Sequence, residues 1–377
     1  MLSDFRAQFP SLDARVHLAS CSYAPRSTMV SSALEEMLLE LEQENPWTVY
    51  EQKVAQLRVV LAELLNCQVR QIGLLPNATI SAYQVASSID WSAKPRIIAS
   101  TAEFPSIAQV WKAQESRGAE VILVESHPGA EDIMNAYRRV LDERVGLISI
   151  PAIDYLSGAK LPVPEIAMMA RRLGVPSICD AYQAVGTEPV NAQEIGVDYL
   201  VAGSMKYLLG LPGIAFLYAR QPESVQRISE LTGWQARVDP FEFSPWNLDL
   251  PDSARRFETG TPAIAAIYAA IAGIRALLDA NLLWVAERIS ALKRHAIQAF
   301  LANGLNLRYL AAPQLSGGHF SILADDSKAL VRHLLQRRIQ VSLRLDAVRI
   351  AFHAFNRHDD VDELCESLVA ARDGGIF

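Results

Sequence analysis

The stretch Pro176 to Tyr218 reads PSICDAYQAVGTEPVNAQEIGVDYLVAGSMKYLLGLPGIAFLY. Its leading apolar run, Val175 to Cys179, has the length and composition of a buried strand, and Asp180 closes it. Gln183 follows on the next turn. A second apolar run, Val197 to Ala202, leads into Gly203-Ser204-Met205-Lys206. A carboxylate at the tip of one strand and an amine at the tip of a later one converge at the carboxyl edge of a parallel sheet, where α/β proteins bind ligands. Read singly, an Asp after a strand is also an ordinary cap or turn residue, and a loop Lys is ordinarily solvated. Lys206, however, lies between apolar runs and precedes Leu208 to Phe216, a poor setting for a lysine kept for solubility.

An acid that can face a ring nitrogen and an amine that can take up an aldehyde are what pyridoxal phosphate (PLP) requires of its protein. Upstream, short apolar runs at 71–76, 96–99, 120–124 and 145–150 alternate with helical patterns to about 88, to about 117, near 131–141 and at 164–173. Such alternation predicts an α/β fold with a mostly parallel sheet covered on both faces. Asn77, Ala78 and Thr79 stand at a strand-to-helix junction. There they serve as a helix cap, and the same geometry can hold an anion. No GxGxxG follows an early strand and no GxxxxGK[ST] occurs, so dinucleotide and nucleoside triphosphate sites have no motif support.

Further out, residues 1–25 read as an irregular arm with one extended piece, Val16 to Ala19. Helical patterns follow at 28–44 and 50–65, broken at Asn45-Pro46. Residues 220–258 are irregular and rich in Pro, Trp and Phe. Two helical stretches, 262–280 and 282–302, lead to an α+β appendage with strands near 305–310, 317–323, 339–343 and 348–353 and helices near 326–337 and 359–372. Half of the 377 residues are hydrophobic, enough for a large core, and the net charge of −7 argues against a general nucleic-acid binder. No apolar run is long enough to span a bilayer. The N-terminus lacks the pattern of a secretory signal, and the four scattered cysteines fit reduced thiols and a cytoplasmic protein. No metal-ligand spacing is present.

With NAT (77–79), EFPS (103–106), DAYQAVG (180–186), VDYLVAGSMKYLLGLPGIAFLY (197–218), FETGTP (257–262) and VRIAFHAFN (348–356) in this order, the chain resembles the class V aminotransferase family. These are fold-type-I PLP enzymes that include cysteine desulfurases, kynureninases and small-molecule aminotransferases. The resemblance implies a large PLP-binding α/β domain (21–260) with a mainly parallel seven-stranded type of sheet. It also implies an N-terminal arm (1–20) packing with a small domain, and linker helices plus a small C-terminal α+β domain (261–377). It implies that Lys206 carries PLP covalently and moves the α-proton, that Asp180 pairs with the pyridinium, and that Gln183 and Tyr155 approach the ring 3′-oxygen. Ala78, Thr79 and Ser204 would hold the phosphate, Phe104 would stack on the ring, and Gly260 and Thr261 would reach the phosphate of the neighbouring subunit of a homodimer with shared active sites. Arg349 would bind the substrate carboxylate, with Arg344 as its competitor.

The implied activity is PLP chemistry on an amino acid, with transamination first. A kynureninase-like or other carbon–carbon or carbon–sulfur lyase is the alternative, and a non-catalytic PLP-binding protein stands behind both. Three departures matter. Met205 stands where the family often has His or Tyr, and Phe104 stands where desulfurases have His. No cysteine lies between 317 and 347, where a desulfurase nucleophile belongs, so a cysteine desulfurase is not expected. Cys179 reads as a buried hydrophobe and Cys365 as part of a surface helix. Side-chain specificity is expected from Cys21-Ser22-Tyr23 and from 220–258.

Overall fold

The computed structural model of the chain describes residues 2–126, 133–225 and 227–376. The arm opens with a helix, Leu2–Ala7, where the sequence suggested irregular chain. The helix is stabilised by tertiary contacts: Phe5 and Phe9 stack among Trp284, His353 and Phe355. Arg6 donates from Nη1 to the Phe355 carbonyl and to Asp360, each at 3.0 Å. Strand β1 (Val16–His17) then pairs in parallel with a strand more than three hundred residues later. Helices Thr28–Glu40 and Pro46–Leu65 follow. The second starts four residues earlier than its apolar pattern suggests, because Pro46 occupies the first turn, where a missing N–H is harmless.

The central strands are β2 (Ile72–Leu75), β3 (Arg96–Ser100), β4 (Glu120–Val124), β5 (Val145–Pro151), β6 (Ser177–Asp180), β7 (Tyr199–Gly203) and β8 (Ala215–Ala219). Several are buried along their whole length, as β5 and β6 are, because helices cover both faces. Among the described residues they form one seven-stranded sheet in the order β2-β8-β7-β6-β5-β3-β4. Only β8 runs against the others. The return from β7 to β8 is short, which an antiparallel pair permits and a parallel one does not. That return, Ser204 to Ile214, therefore sits at the carboxyl edge of the sheet together with Asp180. Of the helix expected near 131–141, residues 131 and 132 lie outside the described residues; the rest is Ile133–Val140.

Residues 220–258 form short 3-10 turns rather than strands or long helices. Their far end is pinned from below. Glu258 is buried and accepts from Arg58 Nη2 at 2.8 and 2.9 Å and from the Leu74 N–H at 2.9 Å. Helices Ile264–Ala280 and Leu282–Ala302 lead to β9 (Arg308–Tyr309), β10 (His319–Leu323), β11 (Ile339–Gln340), β12 (Ser342–Arg344) and β13 (Ala347–Ala351). The second sheet has the order β12-β13-β10-β9. β11 takes the arm strand β1, with Val16 beside Ile339. Cys365, read from sequence as belonging to a surface helix, is buried. Its helix, His358–Asp373, packs on Leu282–Ala302, and its thiol lies 3.5 Å from the Ala299 carbonyl. Among the described residues no single helix is long and apolar enough to cross a membrane.

Candidate active site

A cavity of about 240 Å³ opens at the carboxyl edge of the central sheet. Asp180, the last residue of β6, lines it, and the backbone N–H of Tyr182 donates to its Oδ1 at 2.9 Å. Burial raises the Asp180 pKa; the Tyr182 N–H and Lys206 oppose that shift without cancelling it. Lys206, from the β7–β8 return, lines the same cavity. Burial depresses its ammonium from 10.5 to about 8, and Asp180 pulls the other way. The pair is therefore an acid and an amine, both pushed towards their neutral forms and each partly restored by the other.

Lys206 Nζ lies 4.3 Å from the ring centroid of Tyr182 and 5.5 Å from that of Phe104. Tyr182 can lie there because Gly203 has no side chain; a Cβ at that position would collide with the phenol ring. Phe104 meets the Tyr155 ring edge-on, centroids 5.3 Å apart. Gln183 lines the cavity, donates from Nε2 to the Cys21 carbonyl at 3.0 Å, and has no partner among the described residues for its buried Oε1. Glu103 is buried near Asp180. Its Oε1 accepts from Ser149 Oγ at 2.5 Å and its Oε2 has no partner among the described residues. Burial lifts the Glu103 pKa from 4.5 to about 8; Ser149 counters this and Asp180 adds to it.

On one side the cavity meets the start of helix Ala78–Ser87, which Asn77 caps by accepting from the Ile80 N–H at 2.9 Å. Asn77, Ala78 and Thr79 line it there, joined by Ser106 from the first turn of Pro105–Ala113. Free N–H groups and hydroxyls at a helix start suit an anion. On the other side lies Arg349, 1% exposed, on β13. It donates to the Tyr155 carbonyl at 2.9 Å, Ser22 Oγ at 2.8 Å and Ser342 Oγ at 2.9 Å, and its Nε has no partner among the described residues. Arg344 lines the mouth.

Thus Lys206, Asp180, Gln183, Phe104, Tyr155, Ala78, Thr79, Arg349 and Arg344 come together around one cavity. Three expected residues do not line it. The Ser204 hydroxyl donates to the Leu211 carbonyl at 2.8 Å, holding the β7–β8 return closed. Gly260 and Thr261 are exposed and away from this chain's own cavity. Cys21 and Ser22 line it as expected of the arm, whereas no described residue of 220–258 does. The sequence alone assigns no role to Tyr182, Ser106 or Glu103. Tyr182 and Glu103 stand inside the quoted motifs DAYQ and EFPS, so their position was visible. Their contacts were not.

A family model described as aminotransferase class-V matches residues 42–364, most of the chain. This chain belongs to the class V aminotransferase family. It is 28% identical to an uncharacterized aminotransferase, YcbU, of Bacillus subtilis over 97% of each chain. It is 25% identical to a kynureninase of Bacillus cereus, over 94% of this chain and 85% of that one. A solved structure of a C-DES variant with glycine covalently linked to its PLP cofactor superposes with a TM-score of 0.89 at 20% identity, over 97% of this chain and 98% of that one, which shows the shared fold. The family's cofactor is PLP, and the class V site described above fits it. An acid, a neutral-leaning amine, an unpartnered amide oxygen, the aromatic rings of Phe104, Tyr155 and Tyr182 and a helix start face one space, and among the described residues Asp180 is the sole carboxylate lining it.

Proposed function

We propose that this class V enzyme is a PLP-dependent aminotransferase acting on an amino acid. The observation that carries the reading is the convergence of Lys206, Asp180 and Arg349 on one cavity. When bound, PLP supplies an electron sink for the electrons of the substrate Cα–H bond. Lys206 would hold the cofactor aldehyde and later move a proton at the substrate Cα, work that a lysine depressed to about 8 can do near neutral pH. Asp180 would keep the pyridine nitrogen protonated. Gln183 and Tyr155 would flank the ring oxygen, and Phe104 would cover one ring face. Ala78 and Thr79 would hold the phosphate at the helix start. Arg349 would take the α-carboxylate through its planar donor edge. Ser204 would act at one remove, by shaping the return that carries Lys206.

A homodimer completes the reading. Gly260 and Thr261 would serve the neighbouring subunit's phosphate, and the exposed Phe241, Phe243, Trp246 and Leu248 would be covered by the partner. A lyase is the second reading, favoured by the likeness to kynureninases along nearly the whole chain. The deciding experiment incubates the PLP-loaded protein with a panel of amino acids. Cofactor absorbance, oxo acid, ammonia and sulfide are followed together. Oxo acid with conversion of the cofactor to its pyridoxamine form supports transamination. Ammonia with retained PLP supports the lyase, and no change with any amino acid removes both. Persulfide on any cysteine during turnover with L-cysteine, Cys21 in the cavity wall included, would make the protein a desulfurase after all.

A further inference from the structure

Two guanidinium groups, those of Arg349 and Arg344, face the same cavity. Ser342 on β12 lies directly opposite Arg349 on β13, so their side chains share a face of the sheet. Arg344, two residues further along β12, shares that face. Ser22 Oγ lies 2.8 Å from Arg349 Nη2 and 3.4 Å from Arg344 Nη2. The two Nη2 atoms are therefore no further apart than those two lengths laid end to end. Among the described residues Arg344 otherwise donates only to the carbonyl of its own neighbour, Leu343, at 2.8 Å. Among the described residues neither arginine has a carboxylate partner, and Asp180, the one carboxylate lining the cavity, faces Lys206.

Two unpaired cations this close, one of them buried, repel one another and destabilise the ligand-free pocket. A bound anion relieves both. Arg349 is deep, held by three fixed acceptors, and suits the α-carboxylate. Arg344 stands at the mouth with free donors. Among the described residues that line the cavity, the cations are Lys206, Arg344 and Arg349.

We propose that the enzyme takes an amino acid, or the matching 2-oxo acid, with a second acidic group on a short side chain. Its α-carboxylate lies on Arg349 and its side-chain acid on Arg344. This rests on the amino-acid reading given above. The test uses the PLP-loaded protein in two measurements. In the first, unreactive acids are titrated calorimetrically: succinate and glutarate against butyrate and valerate. The dicarboxylates should bind at least tenfold tighter than the monocarboxylates of equal length. In Arg344→Gln, an exposed position whose variant should keep the cofactor absorbance, that ratio should collapse to near one. A ratio near one in the parent protein overturns the inference. So does an equal loss of both acid classes in Arg344→Gln, which would mean that both arginines clamp one carboxylate. In the second, aspartate and glutamate are compared with alanine by cofactor absorbance. Equal rates with all three sink the inference and leave transamination standing. A dicarboxylate preference in binding, with aspartate or glutamate releasing ammonia while PLP is retained, sinks transamination and leaves the inference standing.

Discussion

Burial sets the chemistry of single residues in this site. Lys206 has its ammonium depressed to about 8, so the amine that attacks an aldehyde is already plentiful there. The rate at which the apo-protein takes up PLP should climb with pH to about 8 and then flatten. Stopped-flow absorbance would show this, and a continued climb towards pH 10 would contradict it. Borohydride should fix the cofactor to the peptide that contains Lys206 and to no other. Glu103 makes a second pH prediction. Its folded pKa of about 8 exceeds the 4.5 of an exposed glutamate, so between those values the folded state holds a proton that the unfolded state has lost. Stability of the apo-protein should therefore fall as pH rises from about 4.5 to about 8. Glu103→Gln should flatten that slope in denaturant titrations, because the amide carries no titrating proton. An unchanged slope would remove Glu103 as its source. Arg349→Lys should raise the KM for amino acids by one to three orders of magnitude, about 1.4 kcal/mol per decade, and leave the cofactor absorbance intact. Normal substrate binding in that variant would move the carboxylate to Arg344.

At the scale of elements, two contacts hold the cofactor edge together. Gly186 ends the turn after Asp180 at φ +93°, and a Cβ there would lie 2.6 Å from the Tyr207 carbonyl oxygen. The turn can thus press against the residue next to Lys206 only if position 186 is glycine. Gly186→Ala should cost roughly 1–3 kcal/mol in strain and weaken PLP retention, since the strain falls on the Lys206 return. Chemical denaturation with and without PLP measures both effects. The second contact is the buried Arg58–Glu258 pair, which ties the helix Pro46–Leu65 and β2 to the segment before Gly260. Glu258→Gln leaves Arg58 buried and uncompensated, and breaking such a pair typically costs about 3–5 kcal/mol. A loss under 1 kcal/mol would show that water reaches Arg58. FETGTP reads as one motif, yet its glutamate is an anchor and its Gly260 and Thr261 are the exposed part.

The whole molecule leaves an apolar face open. Trp246 is 95% exposed, and Phe241, Phe243 and Leu248 lie nearby in sequence, with Trp234 stacked among them. A cluster of exposed aromatic rings of this kind is expected to meet a partner. Light scattering should give a dimer. Phe243→Glu combined with Trp246→Glu should shift it towards monomer and weaken PLP retention, because the neighbour's Gly260 and Thr261 are then lost from the phosphate. A wild-type monomer that holds PLP tightly would end the shared-site reading.

By itself the sequence determined the strand-and-helix alternation, the carboxyl-edge location of Asp180 and Lys206, and the family. All three are local signals: continuous apolar runs for strands buried on both faces, and short motifs whose residues lie within one turn of each other. The tertiary structure alone decided the reversal of β8, the docking of the N-terminal helix and the burial of Cys365. It also decided the contact of the Tyr182 ring with Lys206, the use of the Ser204 hydroxyl on Leu211, and which arginine is buried. Arg349 is enclosed by Ser22, Tyr155 and Ser342, two of which come from distant parts of the chain, while Arg344, five residues earlier, stands in the mouth. No period or spacing encodes such contacts. They arise when the arm, the central sheet and the C-terminal sheet bury their faces against one another, and burial then sets which charges stay, which are neutralised and which remain free for a ligand.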